Sequence, residues 1–373
     1  MQLRTYTYDV IIVGGGVAGC ATAIALKNCQ PELSVAILER KEDMSNTNRP
    51  CYSIGETLPP QTSAQLRSLG IWESFLKQDF IRSYGTSAAW GGSKLYCNEF
   101  MYSPFGYGWR LDRSVFDQFM IQEAQQKEVN FHFNSHMSSV IRIDEMWIVN
   151  TTQKQFKARF VVDATGRKTA IASKLGIEKI STDQLVGIYR FYEGQERPSD
   201  FQEGTYIESD ENGWWYSTTL PNNKTVVAYM TDADIANTHG LRKPDQFDRI
   251  LKQSRFTWKR VSEKDTRNTP QVVAAHTQYL NNATGDGWLS VGDATMSYDP
   301  LSSLGIFKSL ITSQLASFAI KDCLHGNPQA LPRYQQIMES EFKGYQKKWK
   351  EHYAQEERFS NHSFWQRRQN VII

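Results

Sequence analysis

The sequence has few cysteines and almost no net charge. The five cysteines are an odd number and include no CxxC pair, which argues against a disulfide framework and a structural zinc site. The 42 basic and 40 acidic residues give a net charge of +2, which excludes a globally basic nucleic-acid-binding protein and an acidic disordered chain. We therefore expect a protein of the reducing cytoplasm, with no metal ion and no nucleic-acid partner.

The sequence also lacks a clear membrane span or targeting signal. Residues 10–26 carry no charge, but they include several glycines and are shorter than the roughly 20 apolar residues that cross a bilayer. Asp9 stands directly before them, where a signal peptide would have basic residues. We therefore expect no membrane partner.

Residues 1–40 instead predict a β-α-β unit. An apolar, β-branched run at residues 6–13 precedes a GxGxxG motif, an Ala-rich helical segment and a second apolar run. In this motif Gly14 permits the tight turn, Gly16 leaves room for a pyrophosphate, and Gly19 lets the helix pack closely on the sheet. Glu39 ends the second run, where a carboxylate accepts hydrogen bonds from an adenosine ribose. The unit thus predicts a dinucleotide site at a helix N-terminus.

Two later segments help to choose the dinucleotide. The first, residues 159–176, is a strand followed by the sequence DATGR and a helix. The second, residues 287–306, has a strand, the sequence GDA, an Asp-Pro turn and a helix from about Ser303. No second GxGxxG motif occurs in the sequence, so we expect no dedicated NAD(P)H domain. The source of electrons stays open, and an external donor is one candidate.

These ordered motifs resemble the glutathione-reductase-type FAD-binding fold of flavoprotein monooxygenases, in its tryptophan-halogenase-like branch. The G-E-x-x-P sequence at residues 55–59 is similar to that branch as well. The resemblance covers nearly the whole chain and implies an α/β Rossmann fold that binds FAD, with an antiparallel-sheet substrate domain and C-terminal helices. The implied domains are a discontinuous FAD-binding domain (1–80, 110–185 and 275–325), a substrate-binding β-sheet domain (81–109 and 186–274) and a C-terminal helical segment (326–373).

The resemblance also implies a set of cofactor contacts. Asp293 would accept hydrogen bonds from the ribityl hydroxyls, and the helix near Gly305 would direct its N–H groups at the negative edge of the reduced flavin. Arg113 is placed near the cofactor, although a surface arginine that opens a helix is nearly as well supported. The expected cofactor-binding residues are Gly14, Gly16, Val17, Ala18, Gly19, Glu39, Arg40, Glu56, Thr57, Arg113, Val140, Asp163, Gly166, Asp293, Gly305 and Ile306.

The sequence departs from the halogenases at several positions. Ser87 aligns with the lysine that receives hypohalous acid in halogenases of this branch, and a hydroxyl cannot hold oxidised halogen as an amine does. In the sequence DPLSSLGI (299–306), Ser302 and Leu304 replace a glutamate and a threonine associated with halide. The halogenase W-x-W-x-I-P motif corresponds to residues 216–221, which contain no tryptophan. Lys94 is a weaker candidate for a displaced lysine, and we expect no halogenation.

Another branch is more similar. The sequences GWWYS (213–217), DPLSSLGI and SFWQRR (363–368) resemble flavoproteins that mature cysteine-tryptophylquinone amino-acid oxidases. This resemblance implies an FAD-dependent monooxygenase that hydroxylates or otherwise oxidises a peptidyl tryptophan in a precursor oxidase polypeptide, its partner. The alternatives are a small-molecule flavin hydroxylase, a geranylgeranyl-reductase-like enzyme or a halogenase, and a flavoprotein chaperone without catalysis. No catalytic base is assigned, and the candidate catalytic residues are Ser87, Trp90, Trp214, Tyr216 and Ser302.

Three further features have less definite roles. Residues 100–109 (FMYSPFGYGW) are rich in aromatics and suit either a lid or peptide platform or a hydrophobic anchor under a loop. Residues 342–368 mix basic and aromatic side chains, and we favour a helix packed on the FAD domain over a partner-docking surface. Cys51 precedes the G-E-x-x-P loop and is expected to line the pocket.

Overall fold

The computed structural model describes residues 4–43, 54–193, 204–221, 224–261 and 269–370, so Cys51 lies outside the described residues. The strands are β1 (Arg4–Val13), β2 (Val35–Leu38), β3 (Thr57–Leu58), β4 (Ile81–Ser83), β5 (Gly85–Ala89), β6 (Tyr96–Glu99), β7 (Gly108–Arg110), β8 (Asn130–His132), β9 (Met137–Ile143), β10 (Met146–Thr151), β11 (Lys154–Asp163), β12 (Lys179–Ser181), β13 (Leu185–Glu193), β14 (Thr205–Asp210), β15 (Gly213–Thr219), β16 (Lys224–Asp232), β17 (Gln271–Ala274), β18 (Gln278–Leu280), β19 (Thr284–Gly285), β20 (Trp288–Ser290) and β21 (Met296–Ser297). The helices are α1 (Val17–Cys29), α2 (Thr62–Ser68), α3 (Trp72–Phe75), α4 (Arg113–Gln126), α5 (Ala170–Lys174), α6 (Ala233–Thr238), α7 (Pro244–Leu251), α8 (Gly305–Leu324), α9 (Ala330–Ala354) and α10 (Ser363–Gln369).

The first sheet is built around the parallel strands β20, β11, β1, β2 and β8, in that spatial order. The carboxyl-terminal end of β1 is continuously apolar, because both faces of the strand are covered there. Val10 and Ile12 face α1 and α8, whereas Ile11 and Val13 face the β9–β10 hairpin. The predicted β-α-β unit is therefore present, with β1 and β2 parallel and joined through α1.

The second sheet has the strand order β17-β13-β16-β15-β14-β5-β6. Its pairs are antiparallel except for β14 and β5, which run parallel. The sheet is therefore mixed, whereas the sequence led us to expect a purely antiparallel sheet. The reason is that β5 belongs to an early segment of the chain, which joins the sheet beside β14, a strand from much later in the sequence. One face of the sheet packs against the C-terminal helices, and the other is covered by α6 and α7.

The C-terminal helices connect the two sheets. The first half of α9 packs Tyr334 and Phe342 into the core of the parallel sheet. The end of α9 and helix α10 place Tyr353, Phe364 and Trp365 against the second sheet. The segment thus contacts both parts of the molecule and not only the parallel-sheet domain. Among the described residues, no helix is both long enough and apolar enough to cross a membrane.

Candidate functional site

A cavity of about 410 Å³ lies where the carboxyl ends of the parallel strands meet the second sheet. The turns after β1, β11 and β20 contribute its walls, as expected for ligand sites of open α/β sheets. The second sheet closes it with side chains from β15 and β16. Sequence-predicted residues that line this cavity are Gly16, Val17, Ala18, Glu56, Thr57, Arg113, Gly166, Tyr216, Asp293, Ser302, Gly305 and Ile306.

The glycine turn after β1 is shaped by close backbone contacts. Gly14 has a φ of +110°, and a Cβ there would lie 2.3 Å from the carbonyl oxygen of Ala164. A Cβ on Gly19 would lie 1.9 Å from the carbonyl oxygen of Gly14, so helix α1 packs directly on the turn. A Cβ on Gly16 would meet no protein atom within 4 Å, because this residue borders the cavity. Gly16 thus leaves open space that a pyrophosphate fits.

Two of the predicted acidic residues support these turns. Glu39 accepts a hydrogen bond at 2.7 Å from the backbone N–H of Gly15, which fixes the glycine turn relative to the end of β2. Asp163 is fully buried and accepts hydrogen bonds from the backbone N–H groups of Thr165, Ile171 and Ala172. Asp163 therefore holds the turn that brings Gly166 to the cavity.

Asp293 and the N-terminus of α8 form the opposite wall. The carboxylate of Asp293 pairs with the buried Nζ of Lys308 at 2.5 Å. Burial acts to raise the pKa of Asp293, but Lys308, Arg167 and Arg113 together hold this pKa below its usual value. Asp293 is thus an ionised acceptor, suited to ligand hydroxyl groups. Helix α8 begins at Gly305, and its first backbone N–H groups have no partner within the helix.

Glu56 and Tyr216 meet at the side of the cavity formed by the second sheet. Tyr216 Oη donates a hydrogen bond to Glu56 Oε2 at 3.2 Å. Arg113 lies beside them, where it donates to the carbonyl oxygen of Ile54 and pairs with Asp117. Burial raises the pKa of Glu56 to about 7, although the backbone N–H groups of Gly55 and Glu56, then Arg113 and Tyr216, act in the opposite direction.

The Asp-Pro turn before α8 is fastened to the C-terminal segment. Asp299 Oδ2 accepts hydrogen bonds from Trp349 Nε1 at 3.0 Å and from Tyr353 Oη at 2.8 Å. Its Oδ1 accepts one from the backbone N–H of Leu301 at 2.9 Å. Burial raises the pKa of Asp299 to about 6. Helix α9 therefore helps to hold the turn that contributes Ser302 to the cavity.

Several candidate residues lie elsewhere. Trp90 and Trp214 are buried in a cluster of aromatic rings with Tyr353 and Trp365, so the structure does not bring them to the cavity. Their indole N–H groups donate to the carbonyl oxygen of His352 and to Tyr353 Oη. Ser87 lies within β5, between Tyr206 and Cys97 on the neighbouring strands.

Two expected cofactor residues also lie away from the cavity wall. Arg40 is exposed after β2, and Val140 packs with Met137, Trp147 and Val149 in the core beneath the β9–β10 hairpin. The sequence reasoning missed Lys308. A lysine within a helix usually faces solvent, so only its position three residues after Gly305 was available as a signal.

Comparison with known proteins shows extensive similarity. The model of the family described as "FAD binding domain" matches residues 7–313. The Marinomonas mediterranea protein LodB, described as an FAD-dependent oxidoreductase, is 29% identical over 369 residues, 97% of each chain. The structure of the myxobacterial chondrochloren halogenase CndH superposes with a TM-score of 0.85 at 20% identity, covering 98% of this chain and 86% of that one. The structure of the peptidyl tryptophan dihydroxylase QhpG gives a TM-score of 0.79 at 22% identity, covering 98% and 79%.

Proposed function

Because this chain belongs to the FAD binding domain family, we propose that it is an FAD-dependent monooxygenase that hydroxylates a peptidyl tryptophan. The substrate is a precursor oxidase polypeptide, and the product contributes to a tryptophylquinone cofactor. FAD is the cofactor, and when reduced it supplies the electrons for oxygen chemistry. The chain itself provides the pyrophosphate space at Gly16, the hydroxyl acceptor Asp293 and the N–H groups at the start of α8.

The composition of the cavity wall supports oxygenation over halogenation. The position that aligns with the halogenase lysine is Ser87, whose hydroxyl cannot carry oxidised halogen, and no described residue that lines the cavity is a lysine. Lys94 is exposed, and Lys308 is buried in its pair with Asp293. Ser302 and Leu304 line the cavity at the start of α8, where halogenases of the resembling branch have glutamate and threonine. These three replacements, Ser87, Ser302 and Leu304, are the observation that carries the proposal.

An exposed apolar patch supports a polypeptide substrate. The patch consists of Tyr84, Met101, Tyr102 and Phe105, with Met101 72% and Tyr102 84% exposed. The loop that carries its last three members leads into β7. Strand β7 pairs with β3, which places Thr57 in the cavity wall. The patch is thus connected to the cavity wall through β7 and β3, and exposed aromatic side chains of this kind are typical of protein-binding surfaces.

A direct assay tests the proposed reaction. The FAD-loaded protein, a flavin reductase with NADH, air and sodium chloride are incubated with the unmodified polypeptide of a tryptophylquinone oxidase. We expect mass spectrometry to find one or two added oxygen atoms on a tryptophan of that polypeptide. Addition of chlorine would favour the halogenase alternative, and an unchanged polypeptide would contradict the proposed function.

The apolar patch should matter for a polypeptide but not for the cofactor. The triple variant M101S/Y102S/F105S removes large side chains from an exposed loop, so the fold and FAD content should be unchanged. Loss of aromatic anchors at an interface typically costs about 2 kcal/mol or more, so kcat/KM for the polypeptide should fall at least roughly tenfold. The matched control I141S/I143S/F318S removes exposed apolar side chains elsewhere and should leave kcat/KM unchanged. Equal losses in both variants would contradict a role for the patch.

A further inference from the structure

We propose that Glu56 is the proton acceptor of the cavity, which takes the proton that the tryptophan ring loses when oxygen is added. Tyr216 holds the Glu56 carboxylate in position for this transfer. The inference rests on the proposed function and adds to it a base that no sequence pattern identifies.

Of the two carboxylate oxygens of Glu56, one accepts a hydrogen bond and the other has no partner among the described residues. The residue is only 1% exposed, and it lines the cavity beside β3. Oε2 accepts the hydrogen bond from Tyr216. Oε1 is buried and accepts no hydrogen bond of good geometry from any residue that the structure describes. A buried polar atom without a partner costs roughly 1–3 kcal/mol, so binding of a proton at Glu56 Oε1 would relieve this cost.

The other acidic groups of the cavity wall are poorer bases. Asp293 is paired with Lys308, and its pKa lies below the usual value. Both oxygens of Asp299 are occupied by hydrogen bonds from Leu301, Trp349 and Tyr353. Among the described carboxylates of the wall, Glu56 therefore combines an oxygen without a hydrogen-bond partner with a pKa close to 7, near the optimum for a base at neutral pH.

Charged and titratable groups around Glu56 leave it able to change its protonation state. Tyr216 faces it from β15 and Arg113 faces it from α4. Arg167 and Asp293 lie farther along the same cavity wall, and Lys308 lies behind the wall in its pair with Asp293. Arg113 is already engaged with Asp117, which limits its stabilisation of the Glu56 carboxylate. Burial thus dominates the pKa of Glu56.

The chemistry balances with this assignment. A ring C–O bond forms while the O–O bond of dioxygen breaks, and reduced FAD supplies two electrons and two protons. The displaced ring proton moves to Glu56 Oε1, and Glu56 returns it to the second oxygen atom, which leaves as water. The carboxylate is restored at the end of the cycle, and Tyr216 keeps its hydrogen bond to Oε2 throughout.

Proton binding can be measured without turnover. In FAD-loaded protein carrying 13C-labelled glutamate carboxyls, the signal that disappears in E56Q belongs to Glu56. We expect this signal to titrate near pH 7. In Y216F it should titrate at higher pH, because the lost hydroxyl no longer stabilises the ionised carboxylate. Titration near the ordinary glutamate pKa of about 4.3 would overturn the assignment.

Kinetics then test the transfer itself. The E56Q variant keeps the shape of the side chain, so it should retain FAD while oxygenation of the polypeptide falls by roughly 100-fold. The wild-type rate should decline as pH falls through 7, because Glu56 must be ionised to accept a proton. Ring-deuterated tryptophan should slow E56Q more than the wild type, which a structural role would not cause. A wild-type rate in E56Q refutes the inference, whereas an inactive wild type refutes the proposed function and leaves the titration to decide on Glu56.

Discussion

A G16V variant should purify without flavin while keeping its fold. Gly16 has extended backbone angles, with φ −77° and ψ −173°, which valine adopts readily. A Cβ at this position would meet no protein atom within 4 Å, so the new side chain points into the cavity at the N-terminus of α1. There it occupies the space that a pyrophosphate needs. The visible absorption of the purified protein measures its flavin content, and its far-ultraviolet circular dichroism shows whether the fold is kept.

A matched control separates a blocked site from a general effect of added volume. Gly344 lies inside α9, where a Cβ would also meet no atom within 4 Å. G344V should therefore bind FAD as the wild type does, since valine is no worse than glycine in a helix. A yellow G16V protein would contradict the proposed position of the pyrophosphate. If flavin-free G16V still matures the precursor polypeptide, the chaperone alternative is correct and catalysis is not required.

The part of the site that local sequence patterns predict is the part built from parallel strands. Gly16 follows β1 and Asp293 follows β20, both strands of the parallel sheet, and Gly305 begins the helix further along the segment that starts at Asp293. The carboxyl ends of parallel strands share one edge, so a motif placed after each strand reaches the same cavity. The apolar run of β1 was likewise predictable, because burial on both faces leaves a continuous hydrophobic pattern.

The remaining features depend on long-range packing. Trp214 was a reasonable pocket residue as part of an aromatic strand, but its indole N–H donates to Tyr353 of α9, and Trp365 of α10 packs against Tyr353 in the same cluster. The parallel pairing of β5 with β14 sets a register that neither segment encodes by itself. The hydrogen bond that Glu56 Oε2 accepts likewise comes from Tyr216, which lies far along the chain. No local pattern predicts which residues the end of the chain will cover.

An ion pair at that end should contribute strongly to stability. Arg368 on α10 and Asp232 at the end of β16 have side chains only 1% and 2% exposed, and they are joined by hydrogen bonds of 2.7 and 3.2 Å. The guanidinium carbon of Arg368 also lies 3.7 Å from the ring centre of Phe364. Asp232 has one further charged partner among the described residues, Arg367, whose side chain is 45% exposed.

We therefore expect R368M to lower the free energy of unfolding by about 3–5 kcal/mol, measured by urea denaturation. Methionine fills similar space but leaves the buried carboxylate of Asp232 without its main partner. The neighbouring variant R367M breaks the more exposed contact to the same carboxylate and should cost at most about 1 kcal/mol. The double variant D232N/R368M should regain much of the loss, because no buried charge is left unpaired. Equal losses in R368M and R367M would show that the buried pair does not fasten the C-terminal helix to the second sheet.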